Sequence, residues 1–515
     1  MVLKMIPNGH TESSNLAQTG VKTVVNKPEA TRVMPMSTHG HCRVVLSPAS
    51  GPDIIGTLIV ANLESVKFEF YHEPGRVAPP KILESLKIDL FGKIVYSGKG
   101  LLVNMMDLGT KLIIEAKLDQ IGWVGLGRLD RERLPEELVT QFNGFIKDWQ
   151  NDYKISADFK LAVTDLQTFF IRLQLWLNEL ELKTEILDER SKDNFQIEII
   201  KQLEQPLSGA IDTMIERMES IVGREQVQVG QGYHDYLREH LHPLLLCSPF
   251  ARRAFTKPLG YAGDHIMVSM MLDKSYEGNS LFAKAVNAWL LGQAPAEAHR
   301  NRVDYLQRKL NAIAMKAKEG GRIARIYSLG CGPAGEVQRF LANSQLAKHT
   351  EFTLVDFNEE TLESLRQKLK LIGQKVKGPI SYKLVKRSVN EILKGRNRLA
   401  PGRGEAEYDY IYCAGLFDYL QDSVCKQMME IFYRMLAPGG LMLVTNATDR
   451  LNEVRPFRYS MELILDWYLI YRDARQFSGF VPAEVDANCV KVIAENVGAN
   501  IFLEVEKSEN VRTAR

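Results

Sequence analysis

The chain has 515 residues, 45% of them hydrophobic, with 65 Lys plus Arg set against 63 Asp plus Glu. That length accommodates about three domains with cores of their own, and the near balance of charge, without a basic stripe, argues against a nucleic-acid binder. The six cysteines are scattered without a C-x-x-C pair, the start is polar and no long apolar run occurs, which together favour a reduced, cytoplasmic chain that neither spans a membrane nor relies on disulfides.

Residues 1–37 are rich in Asn, Thr, Ser and Pro and read as a polar, mobile tail. Over 38–130, short runs such as "DIIGTLIVANL", "SVKFEFY" and "GKIVYSG" are separated by Gly, Asp and Ser, the texture of a small β-barrel. The period turns helical over 131–225. Leu166, Phe169, Phe170, Leu173, Leu177 and Leu180 share one stripe, and Leu207, Ile211, Met214, Ile215, Met218 and Ile221 share another. These helices read as a packed pair, a linker or the seam of a homodimer. Residues 226–320 are helical again and contain the turn "GYAGD"; they are expected to cap a substrate site. His234, His240 and His242 lie in this region at a spacing that fits no helix-face metal site, and no metal is expected.

From 321 to 508 apolar strands alternate with helices, the α/β pattern. The segment "ARIYSLGCGPAGEVQRFL" is a strand, a loop with Gly330, Gly332 and Gly335, and the start of a helix. Glycines let such a loop approach a ligand closely, and the helix start offers free N–H groups. The next strand, "EFTLVDF", ends in Asp356 and Phe357 about 20 residues on, where an acid can accept ribose hydroxyls. The other reading of Asp356 is a cap for the following helix, with Asn358 as an alternative cap. A third strand ends at Ser388, Val389 and Asn390, where an adenine edge can be met, and a fourth ends at Cys413 and Ala414. "APGGLMLVT" opens a fifth strand, and two further strands are joined around Asn496 and Gly498 as an antiparallel hairpin. The three-glycine spacing alone leaves a dinucleotide open; the closing hairpin argues against that fold and hence against a nicotinamide-dependent oxidoreductase.

On "YSLGCGPAGE", "LVDFNEE" and "LAPGGLMLVT", the segment resembles class I S-adenosylmethionine-dependent methyltransferases. The resemblance implies a Rossmann-like sheet and S-adenosyl-L-methionine as cofactor, held by Ser328, Gly330, Cys331, Gly332, Gly335, Asp356, Phe357, Ser388, Val389, Asn390, Cys413 and Ala414. Ser328 departs from the pattern, because the family often has an acid two residues before the first glycine. "KPLGYAGDHIMVSMM" and "RPFRYSMELILDWYLIYRD" are similar to bacterial enzymes of 3-hydroxypalmitic acid methyl ester biosynthesis. That resemblance implies methylation of the carboxyl group of a hydroxy fatty acid that serves as an extracellular signal.

Five residues are expected at the reacting edge. Tyr261 is placed to hydrogen-bond the acceptor, and Asp264 either to orient a partner or to cap the helix that follows. His265 is placed as a base for a hydroxyl or amine acceptor. Arg455 and Arg458 would pair with an acidic acceptor or, alternatively, form interdomain ion pairs. The front barrel somewhat resembles a PilZ domain, which binds a cyclic dinucleotide. The usual R-x-x-x-R arm is absent here, which favours a scaffold. The competing functional reading is a regulatory protein that senses S-adenosylmethionine or a cyclic dinucleotide without catalysis.

Overall fold

The computed structural model describes residues 42–47, 54–71, 81–90, 93–107, 111–124, 134–152, 155–184, 188–225, 231–376, 380–395, 408–448 and 455–509. The expected tail at 1–37 lies outside these residues.

Six strands form the front domain: β1 (Cys42–Leu46), β2 (Ile54–Ala61), β3 (Ser65–Tyr71), β4 (Ile82–Leu90), β5 (Lys93–Asp107) and β6 (Lys111–Leu118). They close into a barrel in the order β1-β2-β3-β6-β5-β4, every pair antiparallel. Alternation is the cause: Val44 and Leu46, Val66 and Phe68, and Leu86 and Ile88 stand two apart and all point into the core. Tyr96 is fully buried, and its phenol donates to the Lys99 carbonyl while accepting the Asp119 amide.

The helices follow as α1 (Leu134–Asp152), α2 (Ala157–Thr184), α3 (Glu189–Glu225), α4 (Gln231–Leu245), α5 (Pro249–Thr256), α6 (His265–Asp273), α7 (Leu281–Gly292) and α8 (Ala294–Glu319). The stripes of α2 and α3 do meet, but around a third helix. From Leu281 to Leu291 every residue of α7 is buried, and its Trp289 contacts Phe170 of α2 and donates to Asp212 of α3. The sequence reading divides these helices at 225/226; the packing joins them, because α2 to α7 share one apolar cluster with Phe457, Met461 and Trp467.

The last domain is one sheet of β7 (Ala324–Leu329), β8 (Thr350–Asp356), β9 (Ser381–Lys386), β10 (Tyr408–Cys413), β11 (Leu436–Ala447), β12 (Val490–Ala494) and β13 (Asn500–Glu506). Its order is β12-β13-β11-β10-β7-β8-β9. Strands β9, β8, β7, β10 and β11 are parallel, and β13 runs antiparallel to both β11 and β12, the expected hairpin. α8, α9 (Gly335–Asn343) and α10 (Glu359–Lys375) cover one face through Leu310, Phe340 and Leu365. α11 (Val389–Lys394) and α12 (Asp422–Met435) cover the other through Ile392 and Phe432. After β9 the chain crosses to the opposite side of β7 to lay down β10. The order therefore reverses between β7 and β10, and a crevice opens at their carboxyl ends.

Candidate functional site

The glycine loop begins where β7 ends. Gly330 and Gly332 hold φ of 63° and 51°, a region that β-carbon crowding closes to most residues. A Cβ at Gly332 would meet nothing within 4 Å, so this part of the loop borders open space. The amide of Cys331 donates to the Val355 carbonyl at 3.0 Å, which fastens the loop to β8.

Asp356 ends β8 beside that loop. Its Oδ2 accepts the Gly332 amide and its Oδ1 accepts the Asn358 amide, each at 3.0 Å. Burial raises its pKa, and these amides oppose the rise. A carboxylate offers about four lone-pair sites, so two backbone donors leave acceptors for two further hydroxyls. Asn358, not Asp356, caps α10, by accepting the Thr361 amide. Ser388 caps α11 in a reciprocal box with Glu391, and Val389 is buried in the same apolar cluster as Val355. Cys413 is fully buried at the end of β10.

The "GYAGD" turn lies over this edge. Tyr261 and Phe357 have ring centroids 5.1 Å apart, and the Thr361 side chain acts on the Tyr261 phenol. Nδ1 of His265 lies 3.2 Å from Oγ1 of the same threonine. On the other side, Gly263 holds φ of 75°, and a Cβ there would stand 3.1 Å from the Tyr419 hydroxyl. That hydroxyl accepts the Trp467 indole N–H at 2.7 Å. The turn therefore bridges Phe357 after β8 and Tyr419 after β10. Burial pushes Tyr261 up to about 12, so it stays a protonated donor, and burial lowers His265, which favours the neutral ring.

Asp264 caps α6 by accepting the Ile266 and Met267 amides at 3.0 Å, and it pairs with Arg253 at 2.9 Å. These three bonds occupy one oxygen, Oδ1, and bury the residue to 1% exposure. Arg455 pairs with Glu297 at 2.6 Å and donates to the Gly292 carbonyl. Arg458 pairs with Glu462 and lies over the Tyr471 ring. The two arginines are thus held at the helical domain, whereas Tyr261 and His265 are brought to the end of β8.

Beside Ser328, polar residues not singled out from the sequence are buried near the carboxyl edge of the sheet. Ser328 is buried and stands in register with Tyr412 on the neighbouring strand. The Tyr412 phenol donates to Glu336 Oε1 at 2.7 Å. Glu336 is delivered from the first turn of α9, and burial raises its pKa. Asp418 accepts the Ala447 amide at 2.6 Å, and burial pushes its pKa up to about 6. Nothing in the spacing of Glu336, Tyr412 and Asp418 distinguishes them from ordinary helix and strand positions.

Residues 327–442 match a family model described as a methyltransferase domain. No curated protein matches the chain by sequence. Among solved structures, a possible exported protein from Bordetella parapertussis is 14% identical, with 50% of this chain and 86% of that one covered and a TM-score of 0.37. Magnesium protoporphyrin IX methyltransferase from Synechocystis PCC 6803, with bound S-adenosylhomocysteine, is 11% identical over 41% of this chain and 84% of that one, at a TM-score of 0.29. An N-methyltransferase from Bradyrhizobium japonicum WM9 is 12% identical over 40% and 98%, at 0.25. The segment 327–442 thus resembles a methyltransferase domain, and it lies on a sheet of the Rossmann-like arrangement in which parallel strands end in an antiparallel hairpin.

Proposed function

We propose that the chain transfers the methyl group of S-adenosylmethionine to a small molecule, with the carboxyl group of a hydroxy fatty acid or related acyl compound as acceptor. The observation that carries the cofactor is the union of Asp356 with the Gly332 amide at the β7/β10 crevice. Asp356 has acceptor sites left for ribose hydroxyls; Phe357 and the Ser388–Asn390 segment would border the adenine side and the loop from Gly330 with Ala414 the methionine side, whereas fully buried Cys413 would touch neither. When bound, the cofactor supplies an activated methyl group on a sulfonium.

An acceptor carboxylate is ionised at neutral pH and needs no base. The residues over the edge then have two tasks, to align the acceptor and to exclude water. Tyr261 holds its proton and can donate a hydrogen bond to an acceptor oxygen. Tyr261, Phe357, Tyr419 and Trp467 form an aromatic wall from β8 to β10 around Gly263, suited to an acyl chain. The likeness of "KPLGYAGDHIMVSMM" and "RPFRYSMELILDWYLIYRD" to fatty-acid methyl ester enzymes supports the acyl acceptor. The test is incubation with methyl-labelled cofactor and 3-hydroxy fatty acids of graded length. Label that partitions into organic solvent and is released as methanol by base supports the ester; label confined to protein or nucleic acid rejects it.

A further inference from the structure

Helix α8 brings a cation to the carboxyl edge of the sheet that no ion pair among the described residues uses. Arg302 is half-buried. Its guanidinium lies against the turn after β10: a Cβ at Gly415 would stand 3.0 Å from Nη1, 3.1 Å from Nη2 and 3.3 Å from Cζ. Only glycine leaves that space, and Gly415 also holds φ of 89°. The next residue, Leu416, is the one that a Cβ at Gly330 would meet, at 3.3 Å. Arg302 and the glycine loop therefore flank the same short turn.

The direct partner of the guanidinium is neutral. Nη2 lies 2.5 Å from Nδ1 of His299. A guanidinium only donates, so Nδ1 is the acceptor and the ring proton sits on Nε2. His299 is 7% exposed, and its Nε2 has no hydrogen-bond partner. Asp418 and Glu336 act on Arg302 as more distant charges, outside ion-pair range. A desolvated cation without an ionic partner is costly, and a planar fork of N–H donors matches a carboxylate.

The geometry points to a carboxylate-binding subsite at the Arg302 guanidinium, seated by Gly415 and oriented by His299, beside the glycine loop. It rests on the methyltransferase reading. The carboxylate belongs either to the amino-acid end of the cofactor or to the acceptor, and the experiment separates the two.

Calorimetry compares S-adenosylhomocysteine with 5′-methylthioadenosine, which lacks the amino-acid end, on the wild type, Arg302→Met, Arg302→Lys and Gly415→Ala. For a cofactor carboxylate, Arg302→Met weakens S-adenosylhomocysteine about 10- to 100-fold and leaves methylthioadenosine within about 2-fold. Arg302→Lys falls between, and Gly415→Ala reproduces the selectivity by displacing the guanidinium. Retained methylthioadenosine binding shows that each variant is folded. For an acceptor carboxylate, both nucleosides bind as in the wild type, while KM for a hydroxy fatty acid rises by a similar factor at unchanged kcat. Equal loss of both nucleosides, or no change in affinity or KM, overturns the subsite. If the wild type binds neither nucleoside, the methyltransferase reading fails and the subsite fails with it.

Discussion

Oδ2 of Asp356 accepts the Gly332 amide at 3.0 Å, so the end of β8 and the middle of the glycine loop are held as one unit. Asp356→Asn keeps one acceptor oxygen but loses the charge and one side of the carboxylate. S-adenosylhomocysteine binding is expected to weaken about 10-fold or more, and the unpaired amide to cost about 1–3 kcal/mol of stability. Calorimetry and thermal unfolding read the two effects. The raised pKa of Asp356 adds a pH signature. Protonation removes the ionised acceptor, so wild-type affinity falls as pH drops into the acid range, and the variant lacks that component.

Tyr261 meets Phe357 by its ring, while its hydroxyl remains a protonated donor, so the two contributions can be taken apart. Tyr261→Phe removes only the hydroxyl and is expected to change kcat/KM by about 10-fold, the worth of one hydrogen bond to a charged group. Tyr261→Ala also removes the aromatic wall, with a further loss of about 0.5–1.5 kcal/mol from the ring pair alone. Equal kinetics for the two variants would show that the ring contributes nothing.

Gly263 sits at φ of 75° with the Tyr419 hydroxyl where its Cβ would project. Gly263→Ala introduces backbone strain of about 1–3 kcal/mol and pushes Tyr419 away from the Trp467 indole. A lower unfolding midpoint is expected, together with a shift in tryptophan emission. Trp467→Phe identifies that component: the shift should vanish in the Trp467→Phe background.

The strands were legible where one physical rule decided them. Period-two burial marked the barrel, and apolar runs closed by glycine or Asp marked β7 and β8. Asp356 was legible because its distance from the glycines is set by the βαβ unit itself. Arg302 was not, since α8 carries seven basic residues, His299, Arg300, Arg302, Arg308, Lys309, Lys316 and Lys318, and only a glycine far along the chain selects Arg302 to face the crevice. Glu336 was hidden for the same reason: a helix-start acid reads as a favourable charge on the dipole until Tyr412 is seen to bind it. For Asp264 the two readings differ only in what surrounds it, and the helix amides and Arg253 supply the surroundings.

Glu219 makes the joint between α3 and the helix Arg458–Leu465 sensitive to pH. Its carboxylate accepts the Tyr459 and Ser460 amides at 2.9 and 2.6 Å, yet burial pushes its pKa up to about 7, and the Glu462 carboxylate adds to the rise. The unfolded chain releases this proton near the ordinary glutamate value, whereas the folded chain keeps it until about 7. Between those values a rise in pH draws the proton from the unfolded state alone and so favours unfolding. This contribution to stability is fully present below the glutamate range and is lost as pH rises towards about 7. Glu219→Gln cannot titrate. Thermal unfolding midpoints of the wild type should therefore fall relative to the variant between pH 5 and pH 8, and parallel curves would show that Glu219 is ionised throughout in the folded protein.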